Sequence, residues 1–125
     1  MAEIKQEAPF AYEGLDRVFH EKARLGIVSS LAVHADGLSF SDLKTLCGLT
    51  DGNLSRHLQV LEEAAYIIVE KGFEGKRPRT RCLLSSEGRT RFLEYLAVLE
   101  RVLHKATKAA ARPNGFARKL LTQPG

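Results

Sequence analysis

The stretch from Leu49 to Leu61, with the sequence LTDGNLSRHLQVL, constrains the fold more than any other part of this chain. Thr50 is a favourable N-cap residue, and Asp51 suits the positive end of a helix dipole. The apolar side chains then fall within about 60° of one another on a helical wheel. They are Leu54, Leu58, Leu61 and Ala65. The pattern predicts a helix with one face in the core and the other face exposed.

The exposed face of this predicted helix carries polar side chains of the types that read DNA bases. Asn and Gln bond to adenine, Arg bonds to guanine, and Ser bonds to either. Gly52 lets the backbone approach a ligand closely, although it costs the helix roughly 1 kcal/mol relative to Ala. A polar face on an isolated helix is usually only solvated, so the interpretation depends on the neighbouring elements. The outward residues are Gly52, Asn53, Ser55, Arg56 and Gln59.

The segment before this helix has the pattern of further helices. Apolar spacing and end signals predict helices over Phe10–Val18, Glu21–Ala35 and Asp42–Cys47. Ser41 is the expected N-cap of the third helix, and Gly48 is expected to end it. Two short helices joined by a few residues that include a Gly form a helix-turn-helix. Leu38–Phe40 is too short for an independent strand but could pair with a hairpin.

A basic β-hairpin is predicted directly after the polar-faced helix. Tyr66–Lys71 and Thr80–Leu84 have strand character, and Gly72–Arg79 between them holds two glycines and a proline. Residues 70–81 carry five bases and two acids. Such bases can contact phosphates or enter a minor groove, although an exposed, solvated hairpin is the simpler reading. The candidate residues are Lys76, Arg77, Arg79 and Arg81.

A long C-terminal helix is predicted over residues 86–110, with Ser85 as its N-cap. Its apolar residues form a heptad seam with a second stripe beside it. We expect one stripe to pack on its own domain and the other on a second copy, because homodimers commonly bury such surfaces. A helix buried wholly in its own core is the alternative. The predicted dimer residues are Phe92, Tyr95, Leu96, Val98, Leu99, Val102, Leu103 and Ala106.

Length and charge favour one small domain with an anionic partner. The chain has 125 residues, about one domain, and a formal net charge of +4. Its bases cluster, with five bases and no acid in residues 105–125, which is the pattern expected for nucleic-acid binding, although charge alone is explained equally well by a solvated surface. We predict a domain over residues 9–110, a flexible tail at 1–8 and a flexible basic tail at 111–125.

Other classes of function find little support in the sequence. No apolar run approaches the roughly 20 residues of a membrane span, and a signal-peptide pattern is absent, so we expect a cytoplasmic protein without a membrane partner. Cys47 and Cys82 are expected to be buried, reduced thiols, with a redox switch between them left open. No nucleophile–base pair or phosphate-binding loop is visible, so no enzyme activity or cofactor is expected. His104 and Glu100 alone do not make a metal site.

Together these elements resemble the small prokaryotic winged-helix transcriptional regulators of MarR/ArsR type. The resemblance rests on DGNLSRHL in the polar-faced helix and GKRPRT in the hairpin, and it spans residues 15–105. It implies an α+β, mostly α fold: a winged helix-turn-helix with a two-stranded β wing and a long C-terminal dimerisation helix. It also implies a homodimer that binds double-stranded DNA sequence-specifically and regulates transcription.

The resemblance assigns roles to individual residues. It places Asn53, Ser55, Arg56 and Gln59 in the major groove, behind the cap at Thr50, and the basic wing on the backbone or in the minor groove. His57 would lie near a phosphate or pack under the reader helix. Ala65 departs from the pattern, since such proteins usually have Gly there, and a left-handed Ala is strained.

Two questions stay open at the level of sequence. A winged helix used for protein–protein contact, with no DNA role, is the main alternative function, and RNA binding is a lesser one because aromatic residues are few. Salt dependence would separate DNA binding from protein contact. MarR-type proteins often bind small aromatic acids and ArsR-type proteins often bind metals. No pocket is identifiable here, so a small-molecule effector is left open, and a reader helix without Cys argues against metal.

Overall fold

The computed structural model describes residues 8–112, which form four helices and a three-stranded antiparallel sheet. In chain order they are α1 (Lys22–Val33), β1 (Leu38–Ser39), α2 (Phe40–Cys47), α3 (Asp51–Glu63), β2 (Ile67–Glu74), β3 (Arg77–Leu84) and α4 (Ser86–Ala111). The sheet order is β1-β3-β2. This is the predicted mostly helical, winged helix-turn-helix architecture. The predicted tails at 1–8 and 111–125 fall almost wholly outside the described residues.

The helix-turn-helix forms largely as its end signals predict. Gly48 ends α2 with a left-handed φ of 64°, and Thr50 Oγ1 accepts the Asn53 N–H at 3.2 Å. The prediction of Ser41 as the N-cap of α2 is wrong, because the helix begins earlier, at Phe40. Ser39 is the cap, and its hydroxyl accepts the Asp42 N–H at 3.0 Å.

The predicted helix over Phe10–Val18 is also wrong, since residues 9–20 form successive turns. Tyr12 and Gly14 have φ values of 50° and 101°, which a right-handed helix does not allow. The segment is instead anchored by Phe19, which is fully buried and stacks on the Tyr66 ring at a centroid distance of 4.9 Å. Burial of this ring, rather than helical hydrogen bonding, attaches the segment to the domain.

The hairpin is longer and its turn tighter than the sequence suggests. Strands β2 and β3 pair up to Glu74 and Arg77, so only Gly75 and Lys76 remain in the turn. Gly75 has φ 66°, the positive value that the first position of a primed two-residue turn needs. The short β1 pairs with β3 as expected, with Leu38 opposite Cys82. The bases assigned to a loop therefore lie mostly on paired strands.

Helix α4 divides its apolar residues between the core and the surface. Phe92, Tyr95 and Val98 are only 5%, 1% and 7% exposed and pack within their own chain. Their assignment to a dimer interface is therefore corrected, because almost none of their surface is left for a partner. Leu96 and Leu103 remain 39% and 57% exposed.

Within residues 8–112, no helix combines the length and apolar character that a membrane span requires.

The transition from α3 to β2 is a left-handed turn at Ala65, whose φ is 66°. The Tyr66 N–H bonds to the Leu61 carbonyl and the Ala65 N–H to the Glu62 carbonyl, both at 2.9 Å, which is a Schellman motif. The Ser85 hydroxyl donates to the Ala65 carbonyl at 2.7 Å. The strain expected at Ala65 is therefore present, and the surrounding hydrogen bonds hold it in place.

We expect Ala65→Gly to stabilise the protein, because Gly adopts a left-handed conformation without the clash that its Cβ imposes on Ala. The predicted gain in unfolding free energy is about 1 kcal/mol, or a rise in Tm of about 4 °C by calorimetry. Ala64→Gly is the control, because Ala64 has φ −79° and Gly gains nothing there. A similar loss of stability in both variants would contradict the account.

Candidate nucleic-acid interface

The polar face of α3 is exposed as the sequence analysis predicts. Leu54, Leu58 and Leu61 point into the core, and the opposite side of the helix faces outward. Arg56 Nη2 donates to Asn53 Oδ1 at 3.1 Å, and Gln59 Nε2 donates to Glu63 at 3.4 Å. Of the predicted reader residues, the exposed ones are Thr50, Gly52, Asn53, Ser55, Arg56 and Gln59.

Gly52 has no steric role within the described part of the chain. A Cβ placed on it would meet no heavy atom within 4 Å. It lies in the first turn of α3, on the exposed side, with helical rather than left-handed backbone. Gly destabilises a helix relative to Ala, and no contact within the described residues requires Gly here. The absence of a side chain leaves room for another molecule to approach the backbone at this turn.

The side chain of His57 lies on the buried side of α3 rather than on its outer face, and only 8% of the residue is exposed. Its Nδ1 is 3.3 Å from Arg24 Nη1, and its Nε2 is 3.9 Å from Glu21 Oε2. Because a guanidinium can only donate, Nδ1 accepts and the proton of the neutral ring is on Nε2, facing Glu21. Of the two placements considered from the sequence, the structure shows the packed one.

This partly buried polar cluster joins α3 to the start of α1. The backbone N–H of Arg24 bonds to the Glu21 carboxylate and lowers the pKa of that group, and the positive charge of the Arg24 guanidinium adds to the effect. Arg24 Nε also donates to the Val18 carbonyl at 2.6 Å. Sequence reasoning missed Glu21 and Arg24. The available signal was an acidic residue at the start of a helix, where it can act as a cap.

The four predicted wing bases fall into two groups. Lys76 and Arg77 are exposed at the turn and form no salt bridge with residues 8–112. Arg79 is paired closely with Glu74 across the hairpin. Arg81 donates to the carbonyl of Asp36 and so fastens the hairpin to the loop after α1. In the free protein, two bases are therefore available at the tip and two are engaged.

A cleft of about 580 Å³ lies beside the reader helix, between the first half of α1 and the end of α2. Cys47, Asn53 and His57 are among its lining residues. The volume is within the range of small-molecule sites.

Both cysteines are free thiols, and burial raises the pKa of Cys82. No group of three or more His, Cys, Asp or Glu side chains among residues 8–112 is placed to hold a metal ion.

Comparison with known proteins identifies the class of this fold. The family model of the winged helix DNA-binding domain matches residues 23–103. A transcriptional regulator homologue from Pyrococcus horikoshii OT3 is 27% identical, with a TM-score of 0.67, covering 85% of this chain and 98% of that one.

Two further solved structures share the fold at lower identity. A protein assigned to the MarR family from Enterococcus faecalis V583 is 18% identical, with a TM-score of 0.67 and coverage of 89% and 92%. MepR from S. aureus, solved as a DNA complex, is 19% identical, with a TM-score of 0.63 and coverage of 88% and 86%. The Pyrococcus and Enterococcus proteins are described as a transcriptional regulator homologue and a MarR-family transcriptional regulator. The winged-helix fold that the resemblance to MarR-type proteins implies is thereby confirmed.

Proposed function

Because this chain belongs to the winged-helix DNA-binding domain family and has the fold of MarR-type regulators, we propose that it is a sequence-specific regulator that binds double-stranded DNA as a homodimer. The observation that carries the proposal is the exposed face of α3, where Asn53, Arg56 and Gln59 point away from the core. These side chains have the donors and acceptors that base edges require in the major groove. We expect the protein to act in the cytoplasm.

The wing supplies the second part of the proposed contact. Lys76 and Arg77 are free to neutralise phosphates or enter the minor groove. Arg79 could exchange Glu74 for a phosphate, whereas Arg81 serves mainly to hold the hairpin against the loop at Asp36. MepR has the same fold and was solved with DNA, which supports duplex DNA as the partner.

The surface of α4 supports the proposed dimer. Leu93, Leu96 and Leu103 are exposed, and beyond Val98 no residue of α4 up to Ala111 is buried in its own chain. Leu99 still packs against the core, but the helix beyond it carries the exposed Leu103, which a second copy would cover. An isologous dimer would present two α3 helices to half-sites spaced about one helical turn, roughly 10 base pairs, apart.

The cleft beside α3 gives the proposed effector a place to bind. Asn53 and Arg56 line it and also belong to the proposed reading surface. A small molecule in the cleft would therefore compete with base contacts or shift these side chains.

The proposal is tested by selecting a binding site from random duplex DNA and titrating two variants at several salt concentrations. Arg56→Ala should cost about 1–3 kcal/mol on the selected site and relax base preference, because Arg56 reads a base. Arg77→Ala should weaken selected and random duplexes alike and reduce the salt slope by about one, because Arg77 binds phosphate. Arg89→Ala, an exposed base on α4, is the matched control.

Two outcomes would contradict this assignment. If Arg56→Ala and Arg77→Ala weaken the affinity for random duplex equally, the proposal that Arg56 contacts a base while Arg77 contacts a phosphate is wrong. Duplex binding that is absent, or that does not respond to salt, would favour the alternative of a protein–protein interaction module.

Gly52→Ala is predicted to move stability and DNA affinity in opposite directions. Ala is the better helix former and meets no neighbour, so the unfolding free energy should rise by up to about 1 kcal/mol. The added methyl should weaken binding to the selected duplex, because it occupies space at the contact. Gly26→Ala in α1 is the control, with ordinary contacts to Cys47 and an expected gain in stability alone. Unchanged affinity of Gly52→Ala would show that DNA does not approach this turn.

Leu103→Glu is predicted to convert the dimer to a monomer without unfolding it. Leu103 is 57% exposed in the single chain, so the charge is solvated in the monomer but buried and unpaired in the dimer. Light scattering at micromolar concentration measures the change, and circular dichroism checks the fold. Val33→Glu, at a 79% exposed position on α1, is the control. A dimer that persists in Leu103→Glu, or a wild-type monomer that binds DNA, would overturn this interface.

A further inference from the structure

The wing carries an exposed aromatic residue that the proposed basic contacts do not explain. Phe73 is 75% exposed, and the β2–β3 register places it directly opposite Pro78. The next pair is Glu74 with Arg77, followed by the turn. Phe73 and Pro78 thus form an apolar pair one step from the two free bases at the tip of the hairpin.

Phe73 makes no contact with the core or with another aromatic ring within residues 8–112. It belongs neither to the buried core nor to the side chains packed against that core, and its ring pairs with no other aromatic ring there. Covering a Phe ring is strongly favourable, so an exposed ring on a projecting hairpin leaves that gain for a partner. The position is therefore better explained by a contact outside the chain.

Strand alternation fixes the side of the hairpin on which Phe73 lies. Residues two and four apart share a face, so Phe73 lies on the face of Lys71 and Val69. Val69 pairs with Cys82, and both pack into the core beneath the helices. Phe73 therefore continues the helix-facing side of the hairpin past the edge of the core, with a base beside it.

The charges around the pair identify its partner. Lys71 lies on the same face as Phe73, Lys76 lies in the turn, and the next register pair joins Arg77 to Glu74. The hairpin over residues 70–81 carries five bases and two acids, so a second copy of this tip would be repelled, whereas a polyanion would be attracted. Proteins that enter the minor groove combine Arg and Lys with apolar residues such as Phe and Pro. We propose that Phe73 and Pro78 form an apolar wedge that packs against the sugars and base edges of the minor groove while Lys76 and Arg77 bind the flanking phosphates. This inference rests on the proposed DNA-binding function.

The first experiment compares Phe73→Ala with Arg77→Ala on the selected duplex over a range of salt concentrations. An apolar contact releases no counterions, so Phe73→Ala should weaken binding about five- to twentyfold with an unchanged salt slope. Arg77→Ala should reduce the slope by about one. Ile68→Ala is the matched control, since Ile68 is an exposed apolar residue on the opposite face of β2 and should leave affinity unchanged.

The second experiment uses the fact that the chain contains no Trp. F73W introduces a single indole at the wedge, and its quenching by acrylamide should fall when the duplex is added. I68W places the indole on the opposite face, where quenching should not change. Both variants are at exposed positions, and thermal unfolding checks that each retains its fold.

The outcomes separate this inference from the proposed function. If Arg77→Ala weakens binding but Phe73→Ala stays within twofold of wild type, DNA binding stands and the wedge is wrong. A lowered salt slope in Phe73→Ala, or equal protection of F73W and I68W, also overturns the wedge. If the wild-type protein binds no duplex, the proposed function itself fails.

Discussion

The reader helix and the wing hold a fixed relation because the chain reverses direction at one left-handed residue. Ala65 turns α3 into β2, and the Tyr66 carbonyl accepts the Ser85 N–H at 3.0 Å. The start of α4 packs so closely here that a Cβ on Gly88 would lie 2.1 Å from that carbonyl. The end of α3, the start of β2 and the start of α4 therefore meet at the backbone of Ala65 and Tyr66. Any shift of the start of α4 would therefore act on both the end of α3 and the base of the hairpin.

Aromatic packing extends this junction to the N-terminal segment. Phe19 contacts the rings of Tyr66, Phe92 and Tyr95 at centroid distances of 4.9, 5.3 and 5.6 Å. The Tyr66 hydroxyl donates to Asp16 at 2.7 Å, and burial together with this bond raises the pKa of Tyr66 to about 12. A segment without regular structure is thereby fastened to the same point at which the reader helix ends.

Some bases of α3 and the hairpin are bonded to other residues of the chain, and others are not. Arg56 donates a hydrogen bond to Asn53, Arg79 donates to Glu74, and Arg81 donates to the Asp36 carbonyl. Lys76 and Arg77 have no such partner among residues 8–112. Surface ion pairs contribute little to stability, so a phosphate could replace Glu74 at small cost. Lys76 and Arg77 are therefore free without the loss of any contact within residues 8–112, and the Phe73–Pro78 pair is adjacent to them in the hairpin.

The sequence by itself determined the local features of this protein. Caps at Thr50 and Ser85, the stop at Gly48, the two faces of α3 and the β-rich hairpin all depend on neighbours a few residues away, so periodicity and end signals predict them. Tertiary structure decided the rest. His57 turned inward because Arg24 and Glu21, distant in sequence, contact its ring. Phe92 and Tyr95 entered the core because Phe19 packs against them, and Val98 is buried where Gly14 of the N-terminal segment approaches it. A heptad pattern marks which residues of a helix are apolar, but only the folded chain decides which of them its own core covers.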